Sequence, residues 1–169
     1  MKLIYKKAKT NEIKIALEIF KKASEMLIDK SIDQWKYWSN PSADNIKWVK
    51  DGFKNGEFYF VRSEEFGLIG MYGLMKEDLL YWGKQAKKAR YIHSFVVLPE
   101  FSGKNIGYKI IEKIEQEMLT DCVSILRVDC NSLNERLCKY CNDLGFEKVG
   151  EKQMLLSLNN LYEKELHYC

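Results

Sequence analysis

The spacing of apolar residues divides the first third of the chain into one strand and two helices. A short run with partly alternating apolar residues predicts a strand at 2–8. Apolar residues at steps of three and four then predict a helix that begins after Thr10 and a second one that begins after Ser42. Gly56 follows the second apolar stretch, which places the end of that helix just before it.

The middle of the chain has the pattern of extended strands. Runs rich in β-branched and aromatic residues occupy 57–62, 66–75 and 90–98, and polar segments separate them. They predict three consecutive strands that form an antiparallel meander.

Helices and strands alternate over the last third. Ser132 with Glu135 three residues later fits a capping box, and Gly145 is the expected helix stop. The predicted elements are a helix at 103–119, a strand at 124–130, a helix at 133–144, a strand at 146–149 and a final strand near 161–167.

The resulting order, β-α-α-β-β-β-α-β-α-β-β, predicts an α/β fold with a mixed sheet. No linker, repeat or low-complexity segment interrupts it, so we expect a single domain over 1–169.

Charge and hydropathy narrow the class of protein. The 27 basic and 24 acidic residues leave a net charge of +3, scattered in mixtures of Lys and Glu. This balance disfavours a nucleic-acid partner. The absence of a long apolar stretch predicts no membrane association and a cytoplasmic protein.

The five cysteines are expected to be reduced thiols rather than metal ligands. Cys138 and Cys141 form a C-x-x-C pair within a predicted helix, where neighbours on one face have this spacing. Neither a second such pair nor a histidine pair completes a zinc site, so no metal is expected.

The segment at 95–111, FVVLPEFSGKNIGYKII, indicates a phosphate site. A strand ends at Pro99, and a short loop opens directly into a helix whose first N–H groups have no intrahelical partner. Gly103 and Gly107 allow close approach to the backbone, Asn105 tolerates positive φ, and Lys104 adds charge. An ordinary turn from strand to helix is the alternative.

Together with NERLCKYCNDLGF at 134–146, this segment resembles the GNAT superfamily of N-acetyltransferases. The resemblance covers about 57–150 and is vaguer over the first helices. It implies a mostly antiparallel central sheet with helices on both faces and a splayed parallel strand pair that binds coenzyme A. It also implies that acetyl-CoA is the co-substrate and that its acetyl group moves to an amine by direct attack.

The resemblance carries over a set of coenzyme A contacts. Main-chain groups of the strand would bind the pantetheine, the loop and first helical turn would bind the pyrophosphate, and two asparagines would contact the pantetheine arm. These residues are Phe95, Val96, Val97, Ser102, Gly103, Lys104, Asn105, Ile106, Gly107, Tyr108, Asn131 and Asn134. Ser102 and Asn105 depart from the family pattern, which has Arg or Gln and Gly there. Ser102 is expected to cap the helix instead.

The catalytic residues are less well defined. Alternation predicts that Tyr91 and His93 lie on one face of their strand, and either is a candidate base. A structural role for His93 is the alternative. Family members often use a tyrosine to protonate the thiolate, but that position here is Cys141. Helical phase places Tyr140 on the packed face, and water is a third candidate donor.

Glu77 and Asp78 are two further candidates for the base that takes the proton of the amine. Both are expected to lie in a solvated loop. An aromatic-rich segment suggests an acceptor wall from Trp35 and Trp38, with Asp33 receiving a cationic amine. The expected partner is a small-molecule or peptide amine. Exposed strands near the C-terminus are compatible with a homodimer.

Three other functions compete with this interpretation. A non-catalytic domain that binds or senses acyl-CoA would have the same fold and would not need the catalytic tyrosine that this sequence lacks. A dinucleotide-binding enzyme would need an early G-x-G-x-x-G, which the sequence lacks. A nucleic-acid-binding module is opposed by the balanced charge.

Overall fold

The computed structural model describes residues 1–32 and 35–167. Their helices and strands follow the predicted order. The elements are β1 (Ile4–Lys7), α1 (Ile13–Asp29), α2 (Ala43–Lys54), β2 (Phe58–Ser63), β3 (Gly67–Met75), β4 (Arg90–Val97), α3 (Ile106–Thr120), β5 (Ile125–Asn131), α4 (Glu135–Asp143), β6 (Glu147–Gln153) and β7 (Leu158–Glu165).

Contacts divide these elements between two compact units, and the first contains 1–74 and 94–104. Its strands are β1, β2, β3 and the C-terminal half of β4, in that order. β2 pairs antiparallel with both β1 and β3. Leu98, just after β4, donates its N–H to the carbonyl oxygen of Ile69 in β3 at 2.9 Å.

Aromatic side chains dominate the core of the first unit. Phe20 of α1 and Phe58 of β2 are fully buried, and their ring centroids lie 6.4 Å apart. Phe53 of α2 packs on the same Phe58 ring at 5.0 Å. Such contacts bury a large apolar area and stabilise α1 and α2 against β2.

The second unit contains 75–93 and 105–167 of the described residues. Its strands are the N-terminal half of β4, then β5, β7 and β6. β4 and β5 are parallel, whereas β7 pairs antiparallel with β5 and with β6. The described strands therefore form the mixed, mostly antiparallel arrangement with a parallel pair that the resemblance implied.

The apolar face predicted for α3 is the face that packs. All of its predicted core residues are buried, at 4% exposure or less: Ile106, Ile110, Ile111, Ile114 and Met118. Their 3–4 spacing forms one stripe, which is why the sequence pattern was sufficient to find it.

The helix ends confirm two of the predicted signals and correct a third. Ser42 caps α2, because its hydroxyl accepts from the N–H of Asn45 at 3.2 Å. Gly145 follows α4 with φ 84°, as a helix stop requires. The capping box at Ser132 is wrong. Asn134 is the N-cap of α4, and its side chain accepts from the N–H of Leu137 at 3.1 Å.

None of the described helices is long and apolar enough to cross a bilayer.

Candidate functional site

His93 lies where the parallel strands stop pairing. The register between β4 and β5 runs over three pairs and ends at Ile92 opposite Val128. His93 and Asp129 are the next residue of each strand. Their backbones therefore occupy the first positions beyond the ladder.

A compact cluster of ionisable side chains forms at this point within the second unit. Nε2 of His93 lies 3.0 Å from Oδ2 of Asp78, which follows β3. One ligand atom each of Asp78, His93 and Asp129 lies within 4.8 Å of the other two. Asp78 is only 8% exposed, so the expectation of a solvated loop at this residue is wrong.

Hydrogen bonds from outside the cluster hold both carboxylates. The N–H of Tyr81 donates to Oδ1 of Asp78 at 3.0 Å. The side-chain amide of Asn159 donates to Oδ2 of Asp129 at 2.7 Å, and Ser157 donates to Oδ1 of Asn159 at 2.8 Å. Each carboxylate is thus fixed in orientation.

The environment of Asp129 disfavours its charged form. Burial is the main cause that raises the pKa of this carboxyl, and the neighbouring Asp78 raises it further. His93 and the Asn159 amide act in the opposite direction. The cluster is therefore short of positive charge.

Tyr91 has a structural environment in β4. It is 3% exposed, and its hydroxyl accepts from Nη1 of Arg127 at 2.7 Å. Arg127 also lies over the Trp82 ring at 4.8 Å and bonds Glu163 at 2.8 Å. Tyr91 is therefore packed against a side chain of β5 and has little exposed surface.

The C-terminal half of β4, in the first unit, begins with an irregularity. Ser94 has φ 50°, a left-handed conformation inside a strand, and such residues interrupt the alternation of side chains. The alternation that predicts a common face for Tyr91 and His93 therefore does not continue past Ser94. Leu98 N–H faces β3, so the N–H of Val97 points to the other edge of its strand.

The predicted phosphate loop has the local conformations that its sequence requires. Gly103 has φ 75°, and a Cβ built there would meet no atom within 4 Å. Asn105 is the N-cap of α3 with φ 56°. Asn105 therefore takes the left-handed conformation that the family pattern reserves for glycine.

The first turn of α3, in the second unit, presents unpaired backbone donors. The first intrahelical hydrogen bond is donated by Lys109 to the carbonyl of Asn105 at 3.3 Å. The preceding N–H groups, of Ile106, Gly107 and Tyr108, are the ones an α-helix leaves without an intrahelical acceptor. They carry the partial positive charge of the helix end.

Ser102 differs from expectation, whereas the role of Lys104 stays a prediction. Ser102 does not cap α3, because the helix begins four residues later; its N–H bonds the carbonyl of Pro99 at 3.0 Å. Lys104 lies with Nζ 5.3 Å from the centroid of the Phe101 ring. Lys104 therefore lies against an aromatic face in the first unit.

In α4 the predicted packed face is wrong. Cys141 is buried at 3% exposure, whereas Tyr140 is half-buried and Leu133 is 85% exposed and precedes the helix. Burial raises the pKa of Tyr140 to about 12. The packed side of α4 instead runs through Cys138 and Cys141, which lie three residues apart on one face of the helix.

The thiols of Cys130 in β5 and of Cys138 and Cys141 in α4 lie close together. The sulfur atoms of Cys130 and Cys138 are 3.3 Å apart. The hydrogen bond with Cys141 and burial raise the pKa of Cys130, and burial raises that of Cys138. Such thiols are poor nucleophiles.

The two candidate pantetheine contacts also have structural roles. Asn131 is 7% exposed, and its side chain accepts from the N–H of Leu133 at 2.9 Å. Asn134 is 8% exposed and caps α4. Their positions at the end of β5 and the start of α4 fix this turn.

The aromatic segment before α2 belongs largely to the core of the first unit. Trp38 is 4% exposed and packs on Phe20, with ring centroids 4.7 Å apart. Trp35 is half-buried and meets Phe20 edge-on at 5.8 Å. The acceptor role of Trp35 stays a prediction, and Asp33 lies outside the described residues.

Comparison with known proteins bears on these features. A family model described as Acetyltransferase (GNAT) family matches residues 24–146. A comparison with curated protein sequences finds no match.

Similar solved structures share the fold at low identity. A GNAT family acetyltransferase from Listeria monocytogenes is 23% identical, with a TM-score of 0.79 over 97% of this chain and 95% of its own. The microcin C7 self-immunity acetyltransferase MccE, in complex with acetyl-CoA and AMP, is 16% identical, with a TM-score of 0.68 over 97% and 92%. The PaiA N-acetyltransferase of Thermoplasma acidophilum, in complex with coenzyme A, is 15% identical, with a TM-score of 0.63 over 98% and 99%.

Proposed function

Because the chain belongs to the acetyltransferase (GNAT) family, we propose that it transfers the acetyl group of acetyl-CoA to the amine of a small molecule or peptide. The observation that carries this proposal is the position of His93. It is the first residue of β4 beyond the parallel ladder, and it lies 3.0 Å from the buried carboxylate of Asp78.

His93 is assigned the role of proton acceptor for the attacking amine. A positive imidazolium next to the Asp78 carboxylate is stabilised by that charge, so the proton can leave the amine as the new bond forms. Asp129 adds a second carboxyl group nearby. Tyr91 is the weaker candidate, because its hydroxyl already accepts a hydrogen bond from Arg127.

Tyr140 is assigned the role of proton donor to the leaving thiolate. Its pKa of about 12 keeps the phenol protonated at neutral pH. It is half-buried, whereas Cys141 is buried at 3% exposure and lacks comparable access. Water is the alternative donor, and Tyr140→Phe distinguishes it from the phenol.

The residues of this chain fit the diphosphate of coenzyme A. At the start of α3, the N–H groups of Ile106, Gly107 and Tyr108 are available to an anion. Gly103 leaves open space where a side chain would stand. Within the first unit, the N–H of Val97 points away from β3 and is a suitable main-chain donor to a ligand.

The ligands bound to two similar solved structures support acetyl-CoA as the co-substrate. MccE is described in complex with acetyl-CoA and PaiA in complex with coenzyme A. Positioning of the thioester next to the amine would supply much of the rate acceleration. We propose further that the amine attacks the thioester directly, without an acetylated enzyme.

The test combines binding and turnover. Calorimetry should detect coenzyme A and acetyl-CoA binding to the pure protein, and thiol release from acetyl-CoA should depend on at least one member of a panel of polyamines, aminoglycosides, amino acids and peptides. Binding without amine-dependent thiol release would favour a sensing domain. No binding at all would reject the proposal.

A further inference from the structure

The Asp78–His93–Asp129 cluster has the composition of a cation site. It offers one imidazole nitrogen and two carboxylate oxygens within 4.8 Å of one another. Ligand atoms about 2.0–2.2 Å from a cation of the Zn²⁺ class lie about 3.3–3.6 Å apart in a tetrahedral site and about 2.8–3.1 Å apart across a right angle. The 3.0 Å between His93 Nε2 and Asp78 Oδ2 corresponds to the right-angle spacing.

A second observation points to a missing ligand at the same place. Oδ2 of Asp78 is buried and accepts no hydrogen bond from the described residues, although His93 Nε2 is only 3.0 Å away. At that distance an aligned N–H would make a hydrogen bond. Oδ2 of Asp78 therefore retains acceptor capacity that a cation could use.

Neighbouring groups hold the carboxylates of the cluster in place. Tyr81 N–H and the Asn159 amide hold the two carboxylates from outside, which is the arrangement that orients metal ligands. The nearby cation Arg127 is already bonded to Glu163 and Tyr91. The buried Asp78 and the half-buried Asp129 bring two carboxylates together, and a divalent cation would neutralise their charge.

We propose that Asp78, His93 and Asp129 bind a divalent first-row transition-metal cation of the Zn²⁺ class. A mixed set of imidazole and carboxylate ligands suits Zn²⁺ better than Mg²⁺, which prefers oxygen ligands alone.

The cation would also regulate the reaction. A metal on the imidazole occupies the lone pair that His93 needs to accept the proton of the amine, so Zn²⁺ would inhibit acetyl transfer. This consequence rests on the proposed function, whereas the binding itself does not.

Calorimetry with Zn²⁺ tests binding directly on metal-free protein. The wild type should bind one equivalent, and Asp129→Asn and His93→Gln should each weaken it at least about tenfold. Mg²⁺ should not compete. Unchanged Zn²⁺ affinity in both variants would overturn the site, provided that their circular dichroism matches the wild type.

The thiols provide the necessary control. Cys138→Ala removes the central sulfur of the cysteine cluster and should leave Zn²⁺ affinity within about twofold of the wild type. Bound Co²⁺ should show no thiolate charge-transfer absorption. Loss of Zn²⁺ binding in Cys138→Ala would assign the metal to the cysteines and contradict the proposal.

Activity measurements distinguish metal binding from its proposed effect on acetyl transfer. With an active acceptor, Zn²⁺ should inhibit turnover at the concentration at which calorimetry shows the site filling. Binding without inhibition would reject the regulatory role alone. Binding by a protein that shows no acetyl transfer would reject the proposed function and leave the metal site standing.

Discussion

The rings of Tyr108 and Tyr140 meet edge to face, with their centroids 5.3 Å apart. Tyr108 belongs to the first turn of α3 and Tyr140 to α4, so this contact connects the helix end proposed to hold the diphosphate with the proposed proton donor. Burial keeps Tyr140 protonated, with a pKa of about 12.

Tyr140→Phe should lower kcat by roughly 10–100-fold if the phenol protonates the thiolate. The rings keep their contact in this variant, so the affinity for acetyl-CoA should change little. Steady-state thiol release measures kcat, and calorimetry measures affinity. Tyr5→Phe, at a half-buried tyrosine of β1, is the control and should retain nearly full activity. Cys141→Ser with a larger loss than Tyr140→Phe would reverse the assignment.

His93→Gln should reduce kcat/KM by about 10²-fold or more, because glutamine cannot accept the proton of the amine. Binding of acetyl-CoA should stay within about threefold of the wild type. His167, the second histidine, is exposed, and His167→Gln provides the control for loss of a histidine. Equal activity of the two variants would remove His93 from the reaction.

Asp129→Asn should change the pH dependence of stability. The folded protein raises the pKa of Asp129 above its ordinary value of 3.8, so the folded state favours the neutral carboxyl. The cost of its charge is therefore absent below pH 3.8, grows between pH 3.8 and the raised pKa, and is constant above that pKa. Asparagine never bears this cost.

Urea unfolding between pH 4 and 7 measures this effect. The stability of Asp129→Asn relative to the wild type should increase with pH across this range. A difference that stays flat, or that decreases toward pH 7, would show that the folded protein does not disfavour the Asp129 carboxylate.

Thiol labelling tests the cysteine environment. In a Cys169→Ser background, the exposed Cys122 should react with iodoacetamide at least about tenfold faster than Cys138, whose pKa is raised by burial. Cys130 and Cys141 should react only on unfolding. Peptide mass spectrometry identifies the labelled residue, and rapid native labelling of Cys130 would contradict the described packing.

The order of elements and the backbone of the phosphate loop could be predicted from the sequence because both depend on local patterns. The stripe of isoleucines in α3 has a single period, and Gly103 and Asn105 are residue types that adopt positive φ. Gly145 marked the end of α4 for the same reason.

The ionisable cluster depends on contacts that no local pattern encodes. Asp78, His93 and Asp129 come from three separate parts of the chain, and the strand register and the loop after β3 bring them together. Sequence reasoning singled out His93 and considered Asp78, but it missed Asp129. The prediction put the large Tyr140 on the packed face of α4, whereas the small, apolar Cys141 is the residue buried there.

The most direct measurement of the central claim is a single turnover with acetyl-CoA labelled in its acetyl group, an excess of enzyme and an acceptor amine. The label should appear on the amine nitrogen at the same rate as free coenzyme A thiol appears. Mass spectrometry should detect no acetylated protein. Gly103→Asp, which places a negative charge beside the expected diphosphate, should slow this transfer, whereas Gly83→Asp, at an equally open glycine with positive φ, should not. Thiol release without label on any amine, or label retained on the protein, would contradict it.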